Sequence, residues 1–512
     1  MMTDHGHRGR PTTGAKVDTV SAAFAYSNAK RWHGRFVLTA AILGLAFHAP
    51  PTLDARRGGD ADARQFRGVV PVSAGVTIYP GEDIERRMSG SPPGTTFVLK
   101  PGMHRMQTIR PRDRDTFSGE PGAILSGARL LVNFTVAGDH WVASGQMPGG
   151  VAHGDCEVGY PRCRFPEQLF IDDVLLRHVE TPEEVGPGTW HFNYGTGQIH
   201  FADDPTGRRV EISAATTAVE ATGNQVTVSG LIVEKYANLA QNGAISAEGK
   251  TGWIISRNEV RWNHGVGIRI GPGARVSDNN VHHNGQLGIG GVGADVVVDG
   301  NEIAYNNTAR FDPSWEAGGA KFVDTTNLVV RNNFVHHNGG PGLWTDSDNL
   351  NTLYEHNTSE DNERMGIMHE ISYSAVIRHN IVRRNGFGFP AWIWGAGILI
   401  AASRDVEVHG NTVEDNADGI GAVQQSRGSG KYGPYQISNL WVHDNTVTMA
   451  EGWTGLVEDV GDPSYFTSRN NRFERNRYNL GSAGVYFTWM NADRSETQWK
   501  SYRQDVSGTF AR

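Results

Sequence analysis

The sequence has no apolar segment that is long enough to cross a bilayer as a helix. The only strongly apolar run without charges, Phe36–Phe47, has 12 residues, whereas a spanning helix needs about 20. Charged residues form only 20% of the chain and its formal net charge is −8, so it lacks the basic surface that a nucleic-acid partner requires. We therefore expect no nucleic-acid partner and no integral membrane domain.

The run Phe36–Phe47 fits the apolar region of a secretory signal instead. Lys30, Arg31 and Arg35 precede it, and a stretch with prolines follows it. A short apolar segment after basic residues is typical of such signals. We predict a leader with a signal peptide over residues 1–55, a linker over 56–67, and a secreted or extracytoplasmic protein. An uncleaved membrane anchor is the alternative.

Cysteine is equally scarce, since Cys156 and Cys163 are the only two. A metal site would need more ligands nearby, whereas a local disulfide is common in exported proteins. We predict a disulfide between them, with two unpaired thiols as the alternative. The pairs His282–His283 and His336–His337 are interpreted as solvated side chains, because the coil with Tyr305 separates them. The sequence thus predicts no metal and no cofactor.

What the sequence does contain is a repeated phrase of asparagine, any residue, an apolar residue, two variable residues and usually a second asparagine. Most intervals between repeats are 21 to 26 residues, and the longer ones carry insertions. A repeat of this length indicates a solenoid. The first asparagines of the phrases are Asn258, Asn279, Asn301, Asn333, Asn357, Asn380, Asn411, Asn445 and Asn471.

Each repeat divides into three short apolar runs that are separated by Gly, Asn or Asp, and no stretch has helical periodicity over 10–15 residues. Runs of this kind are strands. Three strands per turn of about 22 residues predict an all-β fold, a right-handed parallel β-helix of about ten or more coils. We expect the repeated asparagines to stack as a structural ladder that satisfies buried turn backbone.

The repeat is interrupted once, which suggests a domain organisation. Residues 68–130 are interpreted as the first coils and residues 131–212 as a small inserted β-subdomain. Residues 213–480 then form the main β-helix, and residues 481–512 form a cap or tail.

The strands that follow the second asparagine suggest a site. GLWTD (342–346) and GIMHE (366–370) each begin with glycine and an aliphatic residue. Because side chains alternate along a strand, Asp346 and Glu370 are predicted to point outward on adjacent coils, about 5 Å apart. That is the carboxylate spacing of retaining glycosidases, and proximity raises the pKa of one of the two groups. We predict that they are catalytic; solvated surface carboxylates are the alternative.

Other side chains are predicted to bind substrate beside this pair. Trp344 would offer a flat face to a sugar ring. The insertions at 307–319 and 386–397 enter the same set of strands from one corner and would wall a groove, since long loops in a compact fold are usually functional. The predicted substrate-binding residues are Lys321, Trp344, Glu316, Asp324, Asp348, Trp392 and Trp394.

Over about residues 68–480 the coils resemble the right-handed β-helix proteins of the pectin-lyase-like superfamily, most clearly in the runs 315–349 and 366–380. The interruption at 131–212 is similar to the β-subdomain of some β-helical glycoside hydrolases. That resemblance implies an Asp and a Glu on neighbouring coils, which Asp346 and Glu370 match. It implies a glycoside hydrolase acting on a polysaccharide or oligosaccharide. We expect the protein to be a monomer.

Two other functions stay open. One is a polysaccharide lyase or epimerase in which Lys321 or Arg269 abstracts a proton from a uronate. The other is a carbohydrate-binding surface protein without catalytic activity.

Overall fold

The computed structural model describes residues 75–147 and 151–512. The predicted signal, Phe36–Phe47, and the predicted linker lie outside these residues. Contacts divide the chain into two units, Met1–Val72 and Ser73–Arg512, and the second unit is the one described below. In the part of the chain that the structure describes, no helix is long and apolar enough to cross a membrane.

Three long sheets form the coils, and each coil between Thr227 and Trp489 contributes one strand to each sheet, whereas the first coils contribute strands to sheets A and B only. Sheet A has 13 strands. In order they are Val76–Ile78, Thr96–Leu99, Thr116–Gly119, Thr227–Ser229, Ile254–Ser256, Arg275–Ser277, Val297–Asp299, Val329–Arg331, Thr352–Glu355, Tyr373–Arg378, Arg404–His409, Trp441–His443 and Arg472–Glu474.

Sheet B also has 13 strands and sheet C has 11. The strands of sheet B are Gly102–Arg105, Ala123–Ser126, Ile232–Glu234, Glu259–Arg261, Asn280–His282, Glu302–Ala304, Phe334–His336, Thr358–Glu360, Ile381–Arg383, Thr412–Glu414, Thr446–Met449, Arg477–Leu480 and Thr509–Ala511. Those of sheet C are Gly243–Ser246, Val266–Ile270, Leu287–Ala294, Gly318–Thr326, Leu343–Asp346, Ile367–Glu370, Ala396–Ala401, Asp418–Gln424, Thr454–Glu458, Phe487–Trp489 and Ala492–Arg494.

Neighbouring strands pair in parallel throughout the coils, for example Val276 with Val298 and Val298 with Val330. The inward side chains of successive coils are mostly valine and isoleucine, and they stack into one continuous core. Burying each such side chain stabilises the fold by about 1.5–3 kcal/mol. The coils therefore need few charged residues for their stability. The predicted parallel β-helix is confirmed.

Asparagines form two ladders at two corners of the helix. In the corner between sheets A and B, Asn333 Nδ2 donates to Asn357 Oδ1 at 2.9 Å and to the carbonyl of Val298 at 3.0 Å. The backbone N–H of Asn333 donates to the same Asn357 oxygen at 3.1 Å. Every polar group at the corner is thereby satisfied inside a region without water. The second ladder, between sheets B and C, comprises Asn263, Asn284, Asn306, Asn338, Asn362, Asn385 and Asn416.

The predicted ladder position of Asn471 is wrong. Asn445 Nδ2 donates to Asn476 Oδ1 at 3.0 Å, so Asn476 continues the first ladder. Asn471 lies one strand earlier, where it accepts the N–H of Leu440 and donates to the carbonyl of Tyr465. The short helix Ser464–Thr467 enters this coil, and the phrase that begins at Asn471 therefore belongs to the sheet A strand instead of the sheet B strand.

The interruption of the repeat forms two small sheets of mostly antiparallel strands. The four-stranded sheet contains Val174–Leu175, Leu169–Ile171, Val210–Ser213 and Ala128–Leu131; the five-stranded sheet contains Arg177–His178, Thr189–Asn193, Gln198–Phe201, His140–Ala143 and Thr135–Ala137. They enclose a separate core around Trp190 and Phe201.

A buried ion cluster joins this insertion to the coils. Lys235, from the β-helix, lies 2.5 Å from Glu211 of the insertion, and Arg105 lies 2.6 Å from the same carboxylate. Cys156 and Cys163 form a disulfide in a loop of the insertion. This loop reaches the main β-helix, where the backbone of Cys156 forms an isolated antiparallel β-bridge with Phe311.

Short helices and a hairpin complete the chain. The helices are Ile84–Ser89, Pro313–Glu316, Ser464–Thr467 and Glu496–Ser501, with a 3₁₀ turn at Pro182–Glu184, and the hairpin pairs Ser429–Gly430 with Gly433–Pro434. At the C-terminal end, Phe487–Trp489 pairs antiparallel with Ala492–Arg494, and Trp499 is fully buried against the last coils.

Candidate active site

The outward face of sheet C brings the predicted carboxylates together. Asp346 is the direct partner of Glu370 on the next strand, and Val323 is the partner of Asp346 on the preceding one. The row beside them contains Lys321, which is paired in register with Trp344. The register inferred from the Gly–aliphatic strands therefore matches the strand pairing in these three coils.

Asp346 is held by a lysine. Lys321 Nζ lies 2.9 Å from Asp346 Oδ2 and 3.6 Å from Glu316 Oε2. Burial alone would lower the pKa of Lys321, but the neighbouring carboxylates outweigh burial and hold that pKa above its usual value. Lys321 is therefore a fixed positive charge, and it forms an ion pair with Asp346.

Glu370 is held by an arginine. Arg427 Nη1 donates to Glu370 Oε1 at 2.5 Å, and the Glu370 side chain is only 7% exposed. Burial raises the pKa of Glu370 and the charge of Asp346 raises it further, against the opposing effect of Arg427 and Lys321; the net shift is upward. Glu370 therefore holds a proton more readily than an ordinary glutamate does.

Trp344 does not offer a free face. It is 4% exposed, and Lys321 Nζ lies 3.9 Å from the centre of its ring. It packs in an apolar cluster with Met368 and Ile393. The predicted role of Trp344 as a sugar platform is therefore wrong in this arrangement, because the ammonium group of Lys321 and the loop at 386–395 cover the ring.

The tryptophans of that loop have different environments. Trp394 is partly buried and packs against the cluster around Trp344, whereas Trp392 is 39% exposed. The loop thus covers sheet C on the coils that follow Glu370. Trp392 is the only one of the two that presents a large surface to solvent.

Asp324 and Asp348 anchor a loop instead of standing free for substrate. We call residues 425–436 the strap; it leaves sheet C after Asp418–Gln424 and runs back over earlier coils. Lys431 Nζ lies 2.5 Å from Asp324, and Tyr435 Oη donates to Asp348 at 2.7 Å. Both carboxylates thus bind the strap, and a role of these two aspartates in substrate binding stays a prediction.

Glu316 lies at the end of the helix Pro313–Glu316, on the opposite side of the pair from the strap. Gln241 Nε2 donates to its Oε2 at 2.8 Å, and its other contact with the site is the ion pair with Lys321. The inserted loop at 307–317 thus brings a third carboxylate to the lysine, as the position of the insertion predicts.

Arg427 was missed by sequence reasoning, although a signal was present. Asn411 and Asn445 are ladder neighbours that are 34 residues apart, which is longer than the ordinary repeat and marks an insertion. Only the structure shows that this insertion folds back across the sheet and places a guanidinium group on Glu370.

Among residues 75–147 and 151–512, no group of three or more His, Cys, Asp and Glu side chains is arranged to hold a metal. His369 lies between the two outward rows but points into the core, where burial lowers its pKa to about 3. The site is therefore a pair of carboxyl groups, each with its own cation, in which burial and the neighbouring carboxylate raise the pKa of Glu370.

Comparisons with known proteins agree with this architecture. A family model described as a right handed beta helix region matches residues 243–396. The structure of XylC in complex with xylose is similar with a TM-score of 0.60 at 14% identity, over 84% of this chain and 82% of that chain. A search of curated proteins finds no match.

Two further structures have lower scores. The A-module of mannuronan C-5 epimerase AlgE6 from Azotobacter vinelandii has a TM-score of 0.44 at 15% identity, over 81% of this chain and 91% of that chain. The surface adhesin PfbA of Streptococcus pneumoniae has a TM-score of 0.39 at 10% identity, over 82% and 94%. At such identities the likeness concerns the fold alone. The chain has the right-handed parallel β-helix fold of the pectin-lyase type.

Proposed function

We propose that this protein is a glycoside hydrolase that acts on a polysaccharide or oligosaccharide, with Asp346 as nucleophile and Glu370 as acid and base. The observation that carries the proposal is the direct strand pairing of two largely buried carboxyl groups, each bound to its own cation. A carboxyl group whose pKa is raised by burial and by a second carboxylate marks a candidate functional site.

The two environments assign the roles. Glu370, whose pKa is raised, donates its proton to the glycosidic oxygen as that bond breaks. Asp346, which is ion-paired with Lys321, attacks the anomeric carbon and forms a glycosyl ester. Glu370, now deprotonated, takes a proton from water, and the water oxygen attacks the anomeric carbon and releases Asp346.

The spacing also predicts the stereochemistry. Paired residues on neighbouring parallel strands are about 4.8 Å apart, close to the separation of about 5–5.5 Å in retaining glycosidases. An inverting enzyme would need a wider gap to hold water. We therefore expect retention of the anomeric configuration.

Charge favours a neutral sugar over a uronate. Five carboxylates, Glu316, Asp324, Asp346, Asp348 and Glu370, face three cations, Lys321, Arg427 and Lys431, each of which is already in an ion pair. With Glu370 ionised, five minus three leaves two negative charges in excess; with Glu370 protonated, as its role as acid requires, four minus three leaves one. A uronate carboxylate would be repelled and would find no free cation.

The same charges weigh against a lyase or epimerase. A base must be unprotonated, but the carboxylates raise the pKa of Lys321. Arg269, the other candidate base, forms an ion pair with Glu248 at 2.8 Å. Neither residue is suited to remove a proton at neutral pH.

The test is a pair of variants, Asp346→Asn and Glu370→Gln, assayed on neutral glycans and aryl glycosides, beginning with xylosides. We expect the first to lose at least about 1000-fold and the second about 100- to 10,000-fold in kcat. The control is Glu355→Gln, which lies on the same coil as Glu370 but on sheet A, where it binds Arg378; it should keep full activity.

The outcomes separate the alternatives. Full activity in both variants would refute the proposed site. Unsaturated products would indicate a lyase, and glycan binding without any product would indicate a binding protein. Export and a monomeric state remain part of the proposal, and N-terminal sequencing of exported protein and sedimentation would test them.

A further inference from the structure

We propose that the outer face of sheet B holds two independent binding sites for a divalent transition-metal ion, one at His282 and His283 and the other at His336 and His337. This face lies away from the carboxylate pair of sheet C. The inference is therefore separate from the proposed hydrolase function.

In each pair the same ring atoms converge. The Nδ1 atoms of His282 and His283 are 2.7 Å apart, and those of His336 and His337 are 2.9 Å apart. The ring planes are nearly perpendicular, at 84° and 89°. The two ring nitrogens of each pair thus face each other across one shared proton, so both can bind the same ion once that proton leaves.

A carboxylate fixes the protonation of the first histidine in each pair. His282 Nε2 lies 3.3 Å from Glu259 Oε1, and His336 Nε2 lies 3.2 Å from Glu302 Oε1. An ionised carboxylate only accepts hydrogen bonds, so each Nε2 carries the proton and each Nδ1 keeps its lone pair. Metal-bound histidines are oriented by carboxylates in the same way.

The second histidine of each pair is held by stacking. Tyr305 stacks on His283 at 5.0 Å on one side and on His337 at 4.9 Å on the other. A metal ion would replace the single proton that lies between the two Nδ1 atoms.

The geometry suits a small ion with nitrogen preference. Metal–nitrogen bonds of about 2.0–2.1 Å at a tetrahedral angle need the nitrogens about 3.3 Å apart, which small ring rotations provide from the observed separations. Water would complete the coordination. Imidazole ligands favour copper, zinc and nickel, with Cu²⁺ bound most tightly.

Another pair of histidines, at the corner between sheets A and B, provides a matched control. His356 and His379 stack in parallel at 5.4 Å with planes only 16° apart, so their in-plane lone pairs cannot meet at one point. Like His283 and His337, both have positive φ, a conformation that asparagine tolerates. The same substitution can therefore be made at all four positions.

The test is to count the Cu²⁺ ions that the full chain binds in equilibrium dialysis. We expect His283→Asn and His337→Asn each to bind one ion fewer than the wild type, and the double variant two fewer. His356→Asn and His379→Asn should bind as many ions as the wild type. Thermal unfolding of each variant verifies that it is folded.

An unchanged count in the double variant would overturn the proposal, and so would an equal loss in the control variants. Glu302→Ala supplies a second readout that leaves every nitrogen ligand in place. Loss of the orienting carboxylate should weaken the His336–His337 site about 10-fold or more and leave the His282–His283 site unaffected. Equal affinity at both sites in that variant would contradict the role of the carboxylate.

Discussion

The asparagine ladders and the charged row of sheet C are both rows of buried polar groups that cross neighbouring coils. In a ladder each residue is bonded by its own copy on the next coil, so the same contacts recur from Asn258 to Asn476. In the charged row the partners are unlike, and two come from loops: Glu316 from an insertion and Arg427 from the strap. Polar residues that repeat from coil to coil accordingly have a structural role, whereas polar residues that depart from the repeat form the candidate site.

Asp418 is a third kind of buried polar group, because it has neither an equivalent residue on the next coil nor a cation as partner. Asp418 begins the sheet C strand two coils after Glu370 and is 1% exposed. Its Oδ1 accepts the N–H of Trp453 at 2.9 Å, and its Oδ2 has no hydrogen-bond partner. Burial raises the pKa of Asp418 to about 7.

Asp418→Asn is expected to have the largest effect on stability. Because the folded pKa lies above the ordinary value, Asp418 favours folding at low pH, and that contribution is lost as the pH rises from about 4 through about 7. Asparagine does not ionise, so the variant should not lose stability in this pH range. Its free energy of unfolding at pH 8 should exceed that of the wild type by up to about 4 kcal/mol. Urea unfolding at pH 5 and pH 8 measures it. Asp415→Asn, an exposed neighbour, is the control, and equal pH dependence in wild type and Asp418→Asn would contradict the account.

Asn357→Ala breaks a ladder in its middle. The backbone N–H and Nδ2 of Asn333 lose the oxygen they share, and the carbonyl of Val330 loses its donor at 2.9 Å. Leaving such groups buried and unsatisfied should cost about 3 kcal/mol at any pH. Asn280→Ala, an exposed asparagine of sheet B, should change the free energy of unfolding by less than about 0.5 kcal/mol. A small effect at Asn357 would mean that the ladder is dispensable.

Arg427→Gln removes the cation from Glu370 and should have a smaller effect that depends on pH. At pH 8 the variant should lose about 2 kcal/mol, because an ionised Glu370 would be buried without its partner. At pH 5 the loss should shrink, since the pKa of Glu370 rises further and the group takes up a proton. Lys431→Gln removes an exposed ion pair and should cost less than about 1 kcal/mol. A loss at Arg427 that is equal at both pH values would exclude a charge effect.

The sequence predicts the parts of this molecule that repeat. The phase of Asn333 and Asn357 places Asp346 and Glu370 on adjacent strands, because side-chain alternation follows directly from that phase. The same reasoning fails at Asn471, where a helix inside the coil shifts the phase by one strand.

The features of the candidate site that the sequence does not predict are formed by loops. Asp324 and Asp348 are outward and close to the pair, as predicted. The strap nevertheless binds both of them, through Lys431, which lies 83 residues after Asp348 and 107 residues after Asp324. Trp344 is covered for a similar reason, by a lysine of the preceding coil and by the loop at 386–395. Where an insertion folds back depends on side-chain contacts that no periodic pattern specifies.

The central claim is that Asp346 attacks the sugar while Glu370 supplies the proton. It is tested most directly by mass spectrometry of the enzyme after incubation with a 2-deoxy-2-fluoro derivative of whichever glycoside the wild type cleaves, since the fluorine slows hydrolysis of the glycosyl ester. The account predicts one sugar on the peptide that contains Asp346 and none in Asp346→Asn. A sugar on another residue, or turnover without any covalent adduct and with inverted product, would contradict it.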